Sequence, residues 1–263
     1  MCASAVARQA PPPMFHVKHR MPDTVRFGAA MTSPAGRLIA SCERMGVALD
    51  VSAAGRLVAL LDCMALEPQN LTAIDLHEGG VDRHLADSLS GLASAALRDA
   101  DTIVDLGSGG GFPGIPLAIA CPVCAVTLVE SERRKAEWLA RASADLPNVR
   151  IVGERAENLA VEERERWSVA TARALGPLAT TVELAAPLVA VGGTLVVWRA
   201  GRSRDDELAG ARACEQLGFE PGLVTPVAPF EGADRHLHEF RKTSPTPRRF
   251  PRRPGRAAKR PLA

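Results

Sequence analysis

The sequence predicts an α/β fold: a mainly parallel seven-stranded sheet behind a helical cap, with a basic extension at the end. β-rich runs recur from Asp101 onward, namely DTIVDL, AVTLVE, VRIVG, WSVATA and GGTLVVW, separated by segments of helical character. Alternating strand and helix implies crossovers and therefore parallel strands. Two later runs, Phe219 to Pro226 and His236 to Arg241, have only a loop between them, so the last strand should run antiparallel. The first hundred residues instead space apolar side chains three and four apart, as amphipathic helices do.

In chain order, residues 1–32 are polar and proline-containing and read as a flexible leader, with Met14 an alternative start. His16 and His19 lie there in FHVKH with no acid beside them, which argues against a metal site. Ser33 and Pro34 supply a cap and first turn for a helix over Ala35 to Val47. A second helix spans Ala54 to Ala65, and a third is expected over Val81 to Leu97, with Leu85, Leu89, Leu92 and Ala96 on one stripe. Residues 33–99 thus form a cap, 100–242 the main domain and 243–263 a Pro/Arg-rich tail, solvated or partner-bound rather than packed.

Composition narrows the class. The 263 residues are 46% hydrophobic and 24% charged, the usage of a globular protein. Seven Phe, three Trp and no Tyr leave little for the stacked aromatic platforms of single-strand readers. Residues 241–263 carry nine Arg or Lys and no acid, so residues 1–240 hold 23 bases against 30 acids: a body of −7 and an end of +9. Such asymmetry suits a partner rich in phosphate. Cysteines at 2, 42, 63, 121, 124 and 214 form no dense framework and suggest a reducing cytoplasm. The most apolar region, Leu175 to Trp198, is interrupted by Glu183, Pro187 and Gly192-Gly193, which argues against a membrane span.

The strongest motif runs from Ile103 to Gly114, IVDLGSGGGFPG, at a strand-to-helix junction. Its glycines let the backbone turn sharply and approach a ligand closely. Residues 109–114 satisfy G-x-G-x-x-G, so a dinucleotide-binding oxidoreductase must be weighed, as must an ordinary tight turn. Asp105, at the strand end, is expected to face the ligand, where it would repel a pyrophosphate and attract an ammonium such as that of S-adenosylmethionine. Glu130 ends the next strand, where its oxygens can accept both ribose hydroxyls of an adenosyl group.

These residues resemble the RsmG (GidB) methyltransferases, which methylate N7 of a guanine in 16S ribosomal RNA. The resemblance covers roughly residues 30–262 and is carried by NLTAI at 70–74, RHLADSL at 83–89, the loop DLGSGGGFPGIPLAIA, Glu130-Ser131, Arg155-Ala156-Glu157, Thr171-Ala172-Arg173-Ala174 and FPRRPGRAAKRPL. It implies a Rossmann-like class I S-adenosylmethionine-dependent fold. Gly107 and Phe112 would touch the cofactor beside Gly109 and Gly111, Ala156 with Glu157 would border its adenine, and Arg173 would line the site. Relatives usually carry Lys-Gly after the fifth strand, where this chain has Arg199-Ala200-Gly201. A guanidinium fork and an ammonium are not interchangeable, which leaves an RNA contact by Arg199 open.

Guanine N7 attacks with an unshared pair and needs no general base. Proximity and orientation can supply roughly 7–11 kcal/mol, and the acids Asp105 and Glu130 would ease the positive charge that moves from sulfur to purine. Arg173 is expected to position the base through O6, the competing reading being a salt bridge to a nearby acid such as Glu157. Arg248, Arg249, Arg252, Arg253 and Lys259 of the tail would follow an RNA backbone, so that losing residues 244–263 would chiefly weaken RNA binding. A generic polybasic tail is the alternative.

Cys121 and Cys124 have C-x-x-C spacing but no second ligand pair, and read as structural thiols. His84 and Asp87, three apart, could meet the cofactor loop, although helix surface is the plainer reading. His236 and His238 alternate on a strand and read as exposed. The expected partner is 16S ribosomal RNA in the small subunit or an assembly intermediate, with a monomeric, cytoplasmic enzyme and no membrane contact. A non-catalytic assembly factor that keeps the fold is the second reading.

Overall fold

The computed structural model describes residues 33–69 and 71–262; the expected leader with Met14, His16 and His19, and Asn70, lie outside them. The cap opens with α1 (Pro34–Arg44), where the Ser33 side chain accepts from Gly36 N, and α2 (Val51–Ala65), where Asp50 accepts from Ala53 N at 2.8 Å. Both caps satisfy amides that a helix start leaves unpaired. The main chain then runs β1 (Thr102–Leu106), β2 (Ala125–Val129), β3 (Val149–Val152), β4 (Trp167–Arg173), β5 (Val189–Ala200), β6 (Phe219–Val227) and β7 (Arg235–Lys242).

The strands lie in the order β3-β2-β1-β4-β5-β7-β6. β1 to β5 pair in parallel, and β7 runs antiparallel to both β5 and β6. The seven-stranded sheet with its antiparallel last strand is therefore as the sequence predicts. Its order reverses between β1 and β4, and the carboxyl ends of those two strands form the crevice in which ligands of such sheets bind. Among the described residues no helix is long and apolar enough to cross a membrane.

One face of the sheet packs on the cap: Leu38, Leu57, Leu85 and Leu97 share a core with Ile103, Val196 and Trp198. Two of its outer connections, the helix Gly114–Ala120 and the helix Arg133–Ala142, complete that layer. The other face carries the helices Ala156–Glu162, Leu178–Ala185 and Arg204–Leu217, with Phe219, Phe240 and Phe250 buried among them.

The third cap helix is not continuous. It breaks into α3 (Leu76–Gly79), a π-helical stretch Gly80–Ala86, α4 (Asp87–Leu89), a 3-10 turn Ser90–Ala93 and α5 (Ala95–Arg98). Ser94 is extended, with ψ 127°, and Ala96 is only half-buried while Leu97 is sealed. The cause is tertiary. Trp198 of β5 donates its indole N–H to the Asp87 carbonyl at 2.8 Å, and the Ser90 hydroxyl donates to the same oxygen at 2.6 Å. The ring lies so close to Gly91 that a Cβ there would sit 2.1 Å from Trp198 Cζ2. Gly91→Ala should destabilise the fold by about 1–3 kcal/mol, read from urea denaturation; a variant as stable as the parent would contradict this explanation of the break.

The C-terminal residues are also unlike the expectation. Phe250 and Ala257 are buried, Thr246 is 4% exposed, and residues Arg256–Lys259 form a short helix. The solvated tail is replaced by a segment packed along the body, because its partners, Arg164, Glu165, Glu183 and Glu157, come from distant parts of the chain. The remaining helices are numbered onward as α6 (Gly114–Ala120), α7 (Arg133–Ala142), α8 (Ala156–Glu162), α9 (Leu178–Ala185), α10 (Arg204–Leu217) and α11 (Arg256–Lys259).

Candidate functional site

After β1 the chain turns at once, with Gly107 N and Ser108 N both donating to Val129 O at the end of β2, at 2.9 and 3.1 Å. Gly107 has φ +66°, and a Cβ there would lie 2.6 Å from Leu175 Cδ1. Only glycine accommodates both the left-handed backbone and the close approach.

Asp105 lies beneath this loop, fully buried. It accepts from Thr171 Oγ1 of β4 at 2.8 Å and from Gly114 N, the first residue of α6, at 3.2 Å. Burial pushes its carboxyl up to about 6, held back by the Thr171 and Ser108 hydroxyls, the Arg173 charge and the Gly114 amide. The expectation that Asp105 faces the ligand is therefore corrected. Its carboxylate is sealed under the loop and ties β4 and α6 to it. Glu130 is buried too, with Oε2 accepting from Gly109 N at 2.9 Å and Oε1 from Glu132 N at 2.8 Å. Each carboxylate oxygen retains a lone pair for a hydroxyl donor.

Gly107, Val129, Ser131, Ala156, Glu157, Leu175 and Leu184 line a cleft of about 70 Å³, against ~300–1,000 Å³ for sites that enclose a small ligand. Its lining suits an adenosyl group, with Glu157 as an acceptor and Val129 and Leu184 as apolar flanks, while Glu130 sits beside it between Val129 and Ser131. Leu175 stands in the lining and narrows the cleft to that volume. Leu175 belongs to the connection between β4 and α9, where Ala174 has φ +57°. Arg199 pins that connection by donating to Gly176 O at 2.9 Å and to Asp206 Oδ2 at 2.5 Å, while Asp206 Oδ1 accepts from Leu178 N. Both Nη atoms of its guanidinium are thus engaged within the protein.

On the cap side of the loop, Phe112 stacks on His84, with ring centroids 4.4 Å apart and planes at 16°. Arg173, at the end of β4, lies over the same ring at 5.4 Å. Arg173 Nη2 approaches His84 Nδ1 at 3.2 Å, and Thr72 Oγ1 lies 2.8 Å from Nε2. An arginine can only donate, so Nδ1 accepts and the ring proton sits on Nε2, directed to Thr72. Burial first, and the Arg173 charge second, lower the His84 pKa to about 4. At neutral pH the imidazole is uncharged.

The salt bridge of Arg173 is made to Asp87, at 3.0 Å, and not to Glu157. Arg235 of β7 adds its Nε to the other oxygen of Asp87 at 3.1 Å. His84 and Asp87 are buried rather than surface residues; their spacing is a visible signal, but only the π-helical stretch and the Trp198 contact turn them inward. Neither Arg235 nor Leu175 stands out in the sequence.

Of the cations assigned to RNA, Arg252 forks onto both oxygens of Glu183 and is not free. Arg248, Arg249, Arg253 and Lys259 are exposed. Cys121 and Cys124 follow α6 at the opposite end of the sheet, and burial raises both thiols, Cys124 to about 11. No group of three His, Cys, Asp or Glu among the described residues could hold a metal ion. His238 is buried and His236 half-buried, which corrects their expected exposure: they point with Phe240 toward the α10 face.

A family model described as rRNA small subunit methyltransferase G matches residues 55–237. A protein of Chloroflexus aggregans named ribosomal RNA small subunit methyltransferase G is 43% identical over 198 residues, 73% of this chain and 82% of that one. One of the same name from Thermotoga neapolitana is 37% identical over 84% of this chain and 96% of its own length. Among solved structures the chain is similar to Aeropyrum pernix fibrillarin in complex with S-adenosyl-L-methionine, at 20% identity, 59% and 72% coverage and a TM-score of 0.46.

Proposed function

Since the chain belongs to the rRNA small subunit methyltransferase G family, we propose that it transfers a methyl group from S-adenosylmethionine to N7 of a guanine in 16S ribosomal RNA. When bound, the cofactor supplies an electrophilic methyl on a cationic sulfur. The observation that carries the reading is the Gly107-to-Gly114 loop, pinned from below by Asp105 and from β2 by Glu130, over a cleft that Ala156 and Glu157 border.

This chain's residues then have defined tasks. Gly107, Gly109, Gly111 and Phe112 shape the loop, while Glu130 and Glu157 offer acceptors to hydroxyl and amino donors. Leu175, which narrows the cleft, would have to shift for the cofactor to enter. Arg173 is the candidate for the base's O6. Its Nη1 is on Asp87 and the Arg83 carbonyl and its Nη2 on His84, so it is held in place before the base arrives, which lowers the ordering cost of binding. The neutral His84 is occupied on both nitrogens, in keeping with a displacement that needs no base.

The RNA-facing cations are Arg248, Arg249, Arg253 and Lys259, presented by a docked segment rather than a loose one. We place the enzyme as a monomer on the small subunit or its assembly intermediate. The test is methylation of 30S subunits and protein-free ribosomal RNA side by side, with the product mapped by N7-specific cleavage. One modified guanine in 16S RNA is the expected result. Cofactor binding without any methylation of either substrate would overturn the reading and favour an assembly factor.

A further inference from the structure

Residues 243–262 reach the wall of the cofactor cleft. Arg164 anchors the segment by donating to the carbonyls of Phe250 at 2.7 Å and Thr246 at 2.5 Å. Buried Lys242 donates to Ala186 O at 2.7 Å and to the Thr246 hydroxyl. Farther on, Arg252 forks onto Glu183 of α9, a carboxylate only 2% exposed, and Thr180 of the same helix donates to Ala257 O at 3.3 Å. The residue after Glu183 is Leu184, which lines the cleft.

The second connection is direct. Gly255, at φ +77° ahead of α11, donates its N–H to Glu157 Oε1 at 2.8 Å. Glu157 stands in the first turn of α8, is 7% exposed and lines the cleft. A buried carboxylate held by one backbone amide is confined in its rotamers, and confinement before binding lowers the cost of engaging a ligand. The donor is present only while the segment is seated.

We propose that the docked C-terminal segment is a positioning element of the cofactor pocket: Arg252, through Glu183, seats Gly255 so that its amide fixes Glu157 for the cofactor. The inference rests on the cofactor reading above. Coupling is reciprocal, so bound cofactor tightens residues 250–258 in turn. Because Arg248, Arg249 and Arg253 ride on the same segment, the RNA grip and the methyl-donor pocket are mechanically joined.

Calorimetric titration of the full chain with S-adenosylhomocysteine tests this. Arg252→Ala and Glu157→Ala should each weaken binding about tenfold. The double variant should bind no worse than Glu157→Ala alone, since without the carboxylate the segment has nothing left in the pocket to position. Arg252→Lys should recover part of the loss, and Arg56→Gln, which removes an exposed pair with Asp145, should change nothing. Hydrogen exchange of the parent reports independently of whether Arg252→Ala folds: bound S-adenosylhomocysteine should slow exchange over residues 250–258. Unchanged affinity in Arg252→Ala, additive losses in the double variant, or ligand-insensitive exchange at Gly255 overturns the inference while leaving the cofactor reading intact. A parent that binds no S-adenosylhomocysteine overturns both.

Discussion

Asp87→Ala should unfold more readily than the parent by about 3 kcal/mol and should lose nearly all methylation. Removing one partner of a buried ion pair leaves the other charge uncompensated, a change that costs ~3–5 kcal/mol. Here two guanidinium groups lose their partner together. Arg173 and Arg235 contact opposite oxygens of one carboxylate that is 5% exposed. The lower end of the range applies because Arg173 and Arg235 keep 16% and 25% of their side-chain surface in water. In a chain of this size the loss lowers Tm by roughly 6–12 °C.

Catalysis should suffer separately, because Arg173 would be free to swing from the Phe112 ring. Asp87→Asn, which keeps acceptor and shape but not charge, should fall between the two. Asp87→Ala combined with Arg173→Met should recover part of the stability but none of the activity, since the stranded charge is gone and so is the group that holds the base. Urea denaturation and single-turnover methylation check the pair of outcomes. A double variant no more stable than Asp87→Ala would show that the stranded Arg173 charge is not the source of the loss.

The strands are legible because β-branched runs such as TIVDL and TLVVW bury on both faces of a parallel sheet and need no outside help to be recognised. The glycine loop is legible for a similar reason: its conformational demands are local. The third cap helix fails where a distant ring competes for the same carbonyl. Nothing between Val81 and Leu97 announces that Trp198 will take the Asp87 oxygen. Residues 243–262 fail likewise. Their local composition is that of a solvated chain, and what packs them is a set of single partners spread over Arg164, Glu165, Glu157 and Glu183. Sequence pattern reports what a segment does by itself, and both errors lie where one side chain from far away decides the outcome.

Asp105→Ala should weaken S-adenosylhomocysteine binding about a hundredfold, some 2.7 kcal/mol, and Asp105→Asn far less. The two substitutions separate two physical roles for one carboxylate. If its charge attracted the ligand's ammonium, asparagine would lose as much as alanine. Sealed beneath the loop, it acts instead by accepting from Gly114 N and Thr171 Oγ1. Alanine leaves both groups buried without an acceptor, at ~1–3 kcal/mol each, and releases the start of α6 from β4. Asparagine can still accept from Gly114 and can donate to the Thr171 oxygen. Stability against pH gives a second discrimination. The folded carboxyl titrates near 6, above the ordinary value of about 3.9, so between these values the folded state holds a proton that the unfolded chain has lost. The parent's contribution from this group is therefore full below pH ~4 and is lost as pH rises through 6. Asparagine cannot titrate. Its stability relative to the parent should accordingly be greater at pH 7 than at pH 4, measured by urea denaturation at both. A pH-independent difference would mean that Asp105 is already charged in the acid range, and with it would go the account of a carboxylate kept from water by the loop it supports.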